Sequence, residues 1–147
     1  MTICLSHAKR RRINQQSNRS GVMTIVCEDC PGGTFNCHAG LRLVGTSRAR
    51  RLVNGMQYEV LEASKPLILL EEIEPRANET FCKRIEITPE QLGQEATMAY
   101  AVTNAGVQGK TCRGGLRSCD VDNQYMTARH LYVALSRATD ERMVCIQ

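Results

Sequence analysis

Tryptophan is absent and only 4% of the 147 residues are aromatic. Proteins that hold single strands by stacking successive bases need such rings, so strong stand-alone binding of that kind is not expected. No apolar run approaches the roughly 20 residues that a bilayer-spanning helix requires, which rules out a membrane-spanning helix as the organising element. At the amino terminus, MTICLSHAKRRRINQQ sets a short apolar stretch before a basic cluster, the reverse of a secretory signal. An intracellular setting is therefore expected, and nuclear, mitochondrial and viral settings fit equally. There is no internal repeat and no low-complexity segment. Two pieces of nucleotide-binding machinery are also missing: no GxxxxGK[ST] loop to cradle phosphates, and no strand ending in paired acids to hold magnesium.

What is present is a globular composition, 42% hydrophobic and 23% charged, in a chain long enough to bury roughly two thirds of its unfolded surface. The net charge of +4 is unevenly spread. Residues 1 to 20 carry Lys9, Arg10, Arg11, Arg12 and Arg19 with no acid, while residues 58 to 95 hold nine of the fifteen acids. A basic end and a basic turn (Arg48, Arg50, Arg51) suit a polyanion track, and equally a solvated face. The eight cysteines read as free thiols in a reducing compartment. Cys27-x-x-Cys30 followed by Cys37 and His38 raises a zinc module, but adjacent residues as a second pair suit tetrahedral coordination poorly. No metal site is expected. Cys4, Cys82, Cys112, Cys119 and Cys145 read as packed thiols.

Along the chain, Thr2 to Leu5 reads as a buried strand, followed by a turn at Ser6 and His7 and a helix to about Asn18. From Val22 to Gly40 the composition is that of an irregular loop or loose hairpin. Between Leu41 and Ile87 four short β-type runs, LRLVGT, MQYEVLEA, PLILLEE and RIEI, are separated by turn chemistry such as Asn54-Gly55, which suggests a small barrel. After Pro89 come the apolar stretch ATMAYAVT, the loop NAGVQGKT and a polar linker through Asp120 to Gln124. A helix follows with Thr127 as N-cap and an apolar stripe at Leu131, Ala134, Leu135 and Ala138. Met143 to Ile146 then returns to a buried sheet. This order describes an α/β domain with a β module inserted into it.

The closing segment HLYVALSRAT resembles the last signature of superfamily 1 (1B) DNA helicases of the RecD/Pif type. EATMAYAVTNAGVQGKT resembles the preceding signature, LRLVGTSRARRLVNGMQYEV the SH3-like barrel inserted in that family, and ICLSHAKRRRIN the strand and helix that open its second RecA-like domain. The resemblance implies an α/β fold: a partial RecA-like (P-loop NTPase-type) C-terminal helicase domain with a small inserted SH3-like β barrel. In that scheme residues 1–21 begin the second RecA-like domain, 22–40 connect, 41–89 form the β insertion, and 90–147 complete the domain with the last two helicase motifs. The function implied is that of the C-terminal half of an ATP-dependent DNA helicase, supporting translocation on single-stranded DNA and unwinding.

The same resemblance assigns site residues. Arg137 is the arginine finger: a permanently charged guanidinium suits the charge that builds on a transferring γ-phosphate. Taken without the resemblance, Arg137 reads as a helix-terminal arginine serving the last carbonyls. Ser136 and Tyr132 are expected to hold its helix in place. Gln108 and Gly109 match the loop between nucleotide and strand. Thr103, Gln108, Thr111, His7 and Asn14 match positions facing nucleic acid, although Ala105, Gly106 and Val107 replace the His-Lys-Ser usual in the family and His7 stands where relatives often carry Asn; Arg11, within the basic run Lys9 to Arg12, is expected from its charge to meet phosphate. ATP and Mg2+ are implied as cofactors, held mainly by an amino-terminal half that these residues do not include. The partners implied are single-stranded DNA or a duplex junction, and the amino-terminal RecA-like domain in cis or in trans. The chain alone is expected to lack ATPase activity, as a fragment or as a truncated product. Two other readings remain: a non-catalytic nucleic-acid-binding remnant and the small zinc module.

Overall fold

The computed structural model describes residues 1–27, 33–46, 51–74, 80–108, 112 and 114–146. In chain order the elements are β1 (Thr2–Cys4), α1 (His7–Ser17), β2 (Met23–Ile25), β3 (Phe35–Cys37), β4 (Arg42–Gly45) and β5 (Gln57–Ala63). There follow β6 (Ile68–Glu72), β7 (Arg84–Ile87), α2 (Pro89–Glu95), β8 (Ala96–Met98), β9 (Ala101–Thr103) and β10 (Leu116–Ser118). The chain closes with α3 (Ala128–Leu135) and β11 (Val144–Ile146). It divides into two compact units, one made of Met1–Gln16 with Tyr100–Gln147, the other of Ser17–Ala99.

The first unit is built on a four-stranded sheet in the order β11-β10-β1-β9. Every pairing in it is parallel. Parallel neighbours need crossovers, and helices cover their faces; α1 supplies the crossover that leaves β1. Ile3, Cys4, Ala101, Leu116 and Cys119 are buried in its core. β9 is an edge strand, and its edge is closed by one side chain. Asn14 on α1 is buried, donates from Nδ2 to the Ala101 carbonyl (3.2 Å) and accepts from the Ala101 amide (2.7 Å). A carboxamide thus pairs with both backbone groups of Ala101, as a further strand would.

β10 lies inside this sheet, whereas the residues around it read as a polar linker. Only three residues long, with exposed Arg117 between buried Leu116 and Ser118, it is too short to carry a periodic signal. Asp120, just past its end, adopts a left-handed backbone (φ 71°), a conformation short polar residues tolerate. Its carboxylate accepts from the Leu5 amide (3.2 Å) and pairs with Lys9 (3.3 Å).

The second unit carries a five-stranded antiparallel sheet in the order β7-β6-β5-β4-β8, with a separate β2–β3 hairpin. Alternation explains the strands: in β5 and β6 the residues Tyr58, Val60, Ile68 and Leu70 are buried and their neighbours only partly so. At the Asn54-Gly55 turn, Gly55 has φ +80° and donates to the Gly45 carbonyl (2.8 Å), while the Val53 amide donates to the Tyr58 hydroxyl (2.9 Å). Residues 23–37 supply a regular hairpin between irregular ends. The stretch ATMAYAVT is divided between β8 of this unit and β9 of the other. Helix α2 is not among the elements expected from sequence, although its start is well marked: Thr88 and Gln91 form a reciprocal capping box with Pro89 at the first helical position.

Candidate functional site

In open parallel sheets, ligands bind outside the carboxyl ends of the strands. In the first unit those ends bring together the turn after β1, the loop after β9 and the first turns of α3. They enclose a cleft of about 320 Å³ whose polar lining is His7, Thr103, Asn104, Gln108, Arg129 and His130. Leu5 and Val133 add apolar wall.

The backbone explains why these residues meet. β1 and β9 run side by side, and the parallel ladder continues one step past β9 through the Asn104 amide on the Cys4 carbonyl (2.9 Å). The chain then tightens into a 3-10 turn, Ala105–Val107, that buries Val107. Thr103 Oγ1 accepts from the Gly106 amide (3.3 Å), which bends the loop back over the strand end. On the facing helix, Thr127 caps α3 by accepting from the His130 amide (3.3 Å). The His130 ring answers by accepting the Thr127 N–H at Nδ1 (3.3 Å). In the neutral ring this leaves Nε2 to carry the proton.

Of the residues singled out from sequence, His7, Thr103 and Gln108 line this cleft. Asn14 does not: it is buried and engaged with Ala101, so it positions β9 rather than presenting a contact. Arg11 is exposed on α1 and is not among the cleft residues. Gly109 and Thr111 lie outside the described residues. The basic run is less free than its sequence suggests. Lys9 is paired with Asp120, and burial, then neighbouring Arg11, pulls the Arg10 guanidinium below its ordinary value. In the other unit Arg51 donates to the Glu86 carbonyl (2.6 Å), and Arg48 and Arg50 are outside the described residues.

Arg137 stands just past the end of α3, half-buried. Its Nε and Nη2 both donate to Ser136 Oγ (3.2 and 3.0 Å), and Ser136 Oγ donates to the Val133 carbonyl (3.1 Å). Ser136 therefore ties the guanidinium to the helix end. Tyr132 does not hold the helix, because the residue is 72% exposed. The Arg137 carbonyl accepts from Cys112 (2.7 Å), which joins the helix end to the segment following the Gln108 loop. Within the apolar stripe only Ala134 is fully buried; Leu131, Leu135 and Ala138 are half-buried.

Among the described residues no three His, Cys, Asp or Glu side chains cluster as a metal site. Cys37 is fully buried and its thiol is pushed up to about 11 by that burial. Cys27 is disulfide-bonded, contrary to the expectation of free thiols throughout; Cys4, Cys37, Cys82, Cys112, Cys119 and Cys145 are free. Cys30 lies outside the described residues. No helix among the described residues is long and apolar enough to cross a membrane. Asn104, Arg129 and His130 were not singled out from sequence. For Asn104 a signal existed, a polar residue directly after an apolar strand.

No protein-family model matches the chain, and no curated protein does. Solved structures do. A crystal structure of Bacteroides Pif1 in complex with ADP-AlF3 and ssDNA matches with a TM-score of 0.68 at 17% identity, over 100% of this chain and 40% of that one. Bacteroides Pif1 bound to ssDNA matches with a TM-score of 0.66 at 18% identity, over 99% and 40%. A structure of two coordinating Pif1 helicases at forked dsDNA matches with a TM-score of 0.62 at 18% identity, over 99% and 38%. The chain thus spans about 40% of the length of the Pif1 structures it matches, and at this identity the likeness is one of fold: a mixed α/β chain with a parallel sheet, similar to a part of those structures.

Proposed function

We propose that this chain is the C-terminal motor portion of a superfamily 1B DNA helicase: a partial second RecA-like domain with an SH3-like module inserted at about residues 41–89. The observation that carries the reading is the convergence of His7, Thr103 and Gln108 on one cleft at the carboxyl ends of the parallel strands, in a chain whose fold matches Pif1 along its whole length. These side chains offer donors to a nucleic-acid backbone without reading sequence.

Arg137 is the arginine finger in this reading. Its Nε and Nη2 share Ser136 Oγ as acceptor, which keeps the guanidinium beside the helix end, and from there it meets a γ-phosphate bound by the amino-terminal half. ATP and Mg2+ would be held there, and bound nucleotide would supply the phosphoryl group whose charge Arg137 stabilises. Gln108, with Gly109 and Thr111 after it, links that end to the DNA strand.

The test joins this chain to its amino-terminal RecA-like half and measures DNA-stimulated ATP hydrolysis for the parent and for Arg137→Ala. A loss of roughly a thousandfold or more with folding retained is expected of a transition-state arginine. Unchanged turnover sinks the catalytic assignment and leaves a nucleic-acid-binding module.

A further inference from the structure

Among the described residues lining the cleft at the strand ends, Arg129 is the one permanent charge, and no Asp or Glu stands beside it. It lies in the first turn of α3, which contains no acid, and it is exposed. Other cations of the same unit are engaged elsewhere: Lys9 pairs with Asp120, Arg142 with Asp140, and Arg137 is tied to Ser136. Among the described residues Arg129 has no such partner.

The fold fixes Arg129 through its neighbours rather than through its own head group. Thr127 caps α3 by accepting from the His130 amide (3.3 Å). Asn104, buried at the end of β9, donates from Nδ2 to the His130 carbonyl (2.8 Å). The backbone next to Arg129 is thereby fastened to the strand end, while the residue itself remains accessible.

The rest of the lining supplies donors. Thr103 Oγ1 accepts from the Gly106 amide (3.3 Å), which leaves its own hydroxyl hydrogen to give. Gln108, exposed further along the same loop, brings a carboxamide N–H. A guanidinium with neutral donors and no carboxylate selects an anion, and its planar fork matches the two non-bridging oxygens of a phosphodiester. Leu5 and Val133 give apolar contact suited to the adjoining sugar. At about 320 Å³ the cleft is at the small end of ligand sites, in keeping with one such unit.

We infer that Arg129 grips one phosphodiester of a bound single strand in this cleft, with Thr103 and Gln108 donating beside it. The inference rests on the reading of the cleft as a nucleic-acid site, and adds to it the residue that carries the charge. The contact is indifferent to base and sensitive to salt.

Fluorescence anisotropy of the full chain with labelled oligo-dT and oligo-dC across a salt series tests this, for the parent, Arg129→Gln, Arg129→Lys and Arg142→Gln. Arg129→Gln should weaken both strands alike, by about tenfold at low salt. It should also flatten the slope of log affinity against log salt by about 0.7, the value for one phosphate on a single strand. Arg129→Lys, which keeps the charge, should keep most of the slope. Arg142→Gln removes the same charge outside the cleft lining and should leave the slope at the parent value. An unchanged slope in Arg129→Gln, or an equal flattening in Arg142→Gln, overturns the Arg129 contact and leaves strand binding in place. No strand binding by the parent overturns both the contact and the nucleic-acid reading of the cleft. Inorganic phosphate separates a strand phosphodiester from a free anion: at matched ionic strength it should displace oligo-dT no better than chloride does. Displacement by phosphate from the parent that is lost in Arg129→Gln would give the cleft to free phosphate and refute the strand assignment.

Discussion

At the scale of single residues, Cys4 shows how burial sets chemistry. It sits in the middle of the parallel sheet beside Ala101 and Cys119, with Ile13 packed on the cluster. Burial is the main cause that pushes its thiol up to about 12, with Cys119 and Asp120 adding to it; Cys37 in the other unit rises to about 11 by burial alone. Both ordinarily titrate near 9.0. Because the folded state holds the proton more tightly than the unfolded one, these thiols support folding fully below pH 9 and lose that support as pH climbs through their folded values. The urea midpoint should therefore decline between about pH 9 and 12, and Cys4→Ala, although less stable at neutral pH, should decline less steeply. A parallel decline in both proteins would mean that other groups govern the alkaline limb.

At the scale of elements, helix α1 and edge strand β9 are joined by the Asn14 amide on both backbone groups of Ala101. Asn14→Leu keeps the volume but leaves a buried N–H and a buried carbonyl unmatched, a loss of about 2–4 kcal/mol. Chemical unfolding should show this as a lower midpoint with an unchanged slope, and Asn14→Asp, which can accept but not donate when ionised, should also be destabilised. A shift under half a kcal/mol, no larger than ordinary surface substitutions give, would show that the contact is dispensable. The Ile13-Asn14 pair was legible in sequence only through its likeness to helicases, and the role inferred, contact with nucleic acid, is not the one its burial supports. Elsewhere legibility followed length and capping. The runs that became β4 to β7 were read from alternation and turn residues, and Thr127 was read as the cap it is. β10 is hidden by its three-residue length, and α2 by a length of seven residues, too short for a helical period to show, so that the Thr88–Gln91 box is its main signal. In the cleft, motif residues such as Thr103 and Gln108 are legible through the likeness to helicases, whereas Asn104 carries only the weaker signal of a polar residue directly after an apolar strand.

At the scale of the whole molecule, the two units differ in how their chains are assembled. Ser17–Ala99 is one continuous segment, and its sheet pairs β4 with β5, β5 with β6 and β6 with β7, consecutive strands throughout, closing only on β8 from a distance. Its buried residues, among them Leu43, Tyr58, Val60, Ile68, Leu70, Ile87 and Leu92, make a core of its own. The parallel unit is split between the two ends of the chain, so β1 reaches β9 and β10 only across the whole inserted segment, and such long-range pairings form late and at a high entropic cost. Its α3 is incompletely covered, with Tyr132 exposed and the apolar stripe only half-buried. A segment 17–99 expressed alone should accordingly keep its β-type circular dichroism and unfold in one cooperative step, and native-state hydrogen exchange of the intact chain should show Val60 and Leu70 better protected than Ile3 and Val102. An unfolded 17–99 segment, or uniform protection across both sheets, would mean that the two units fold only as one.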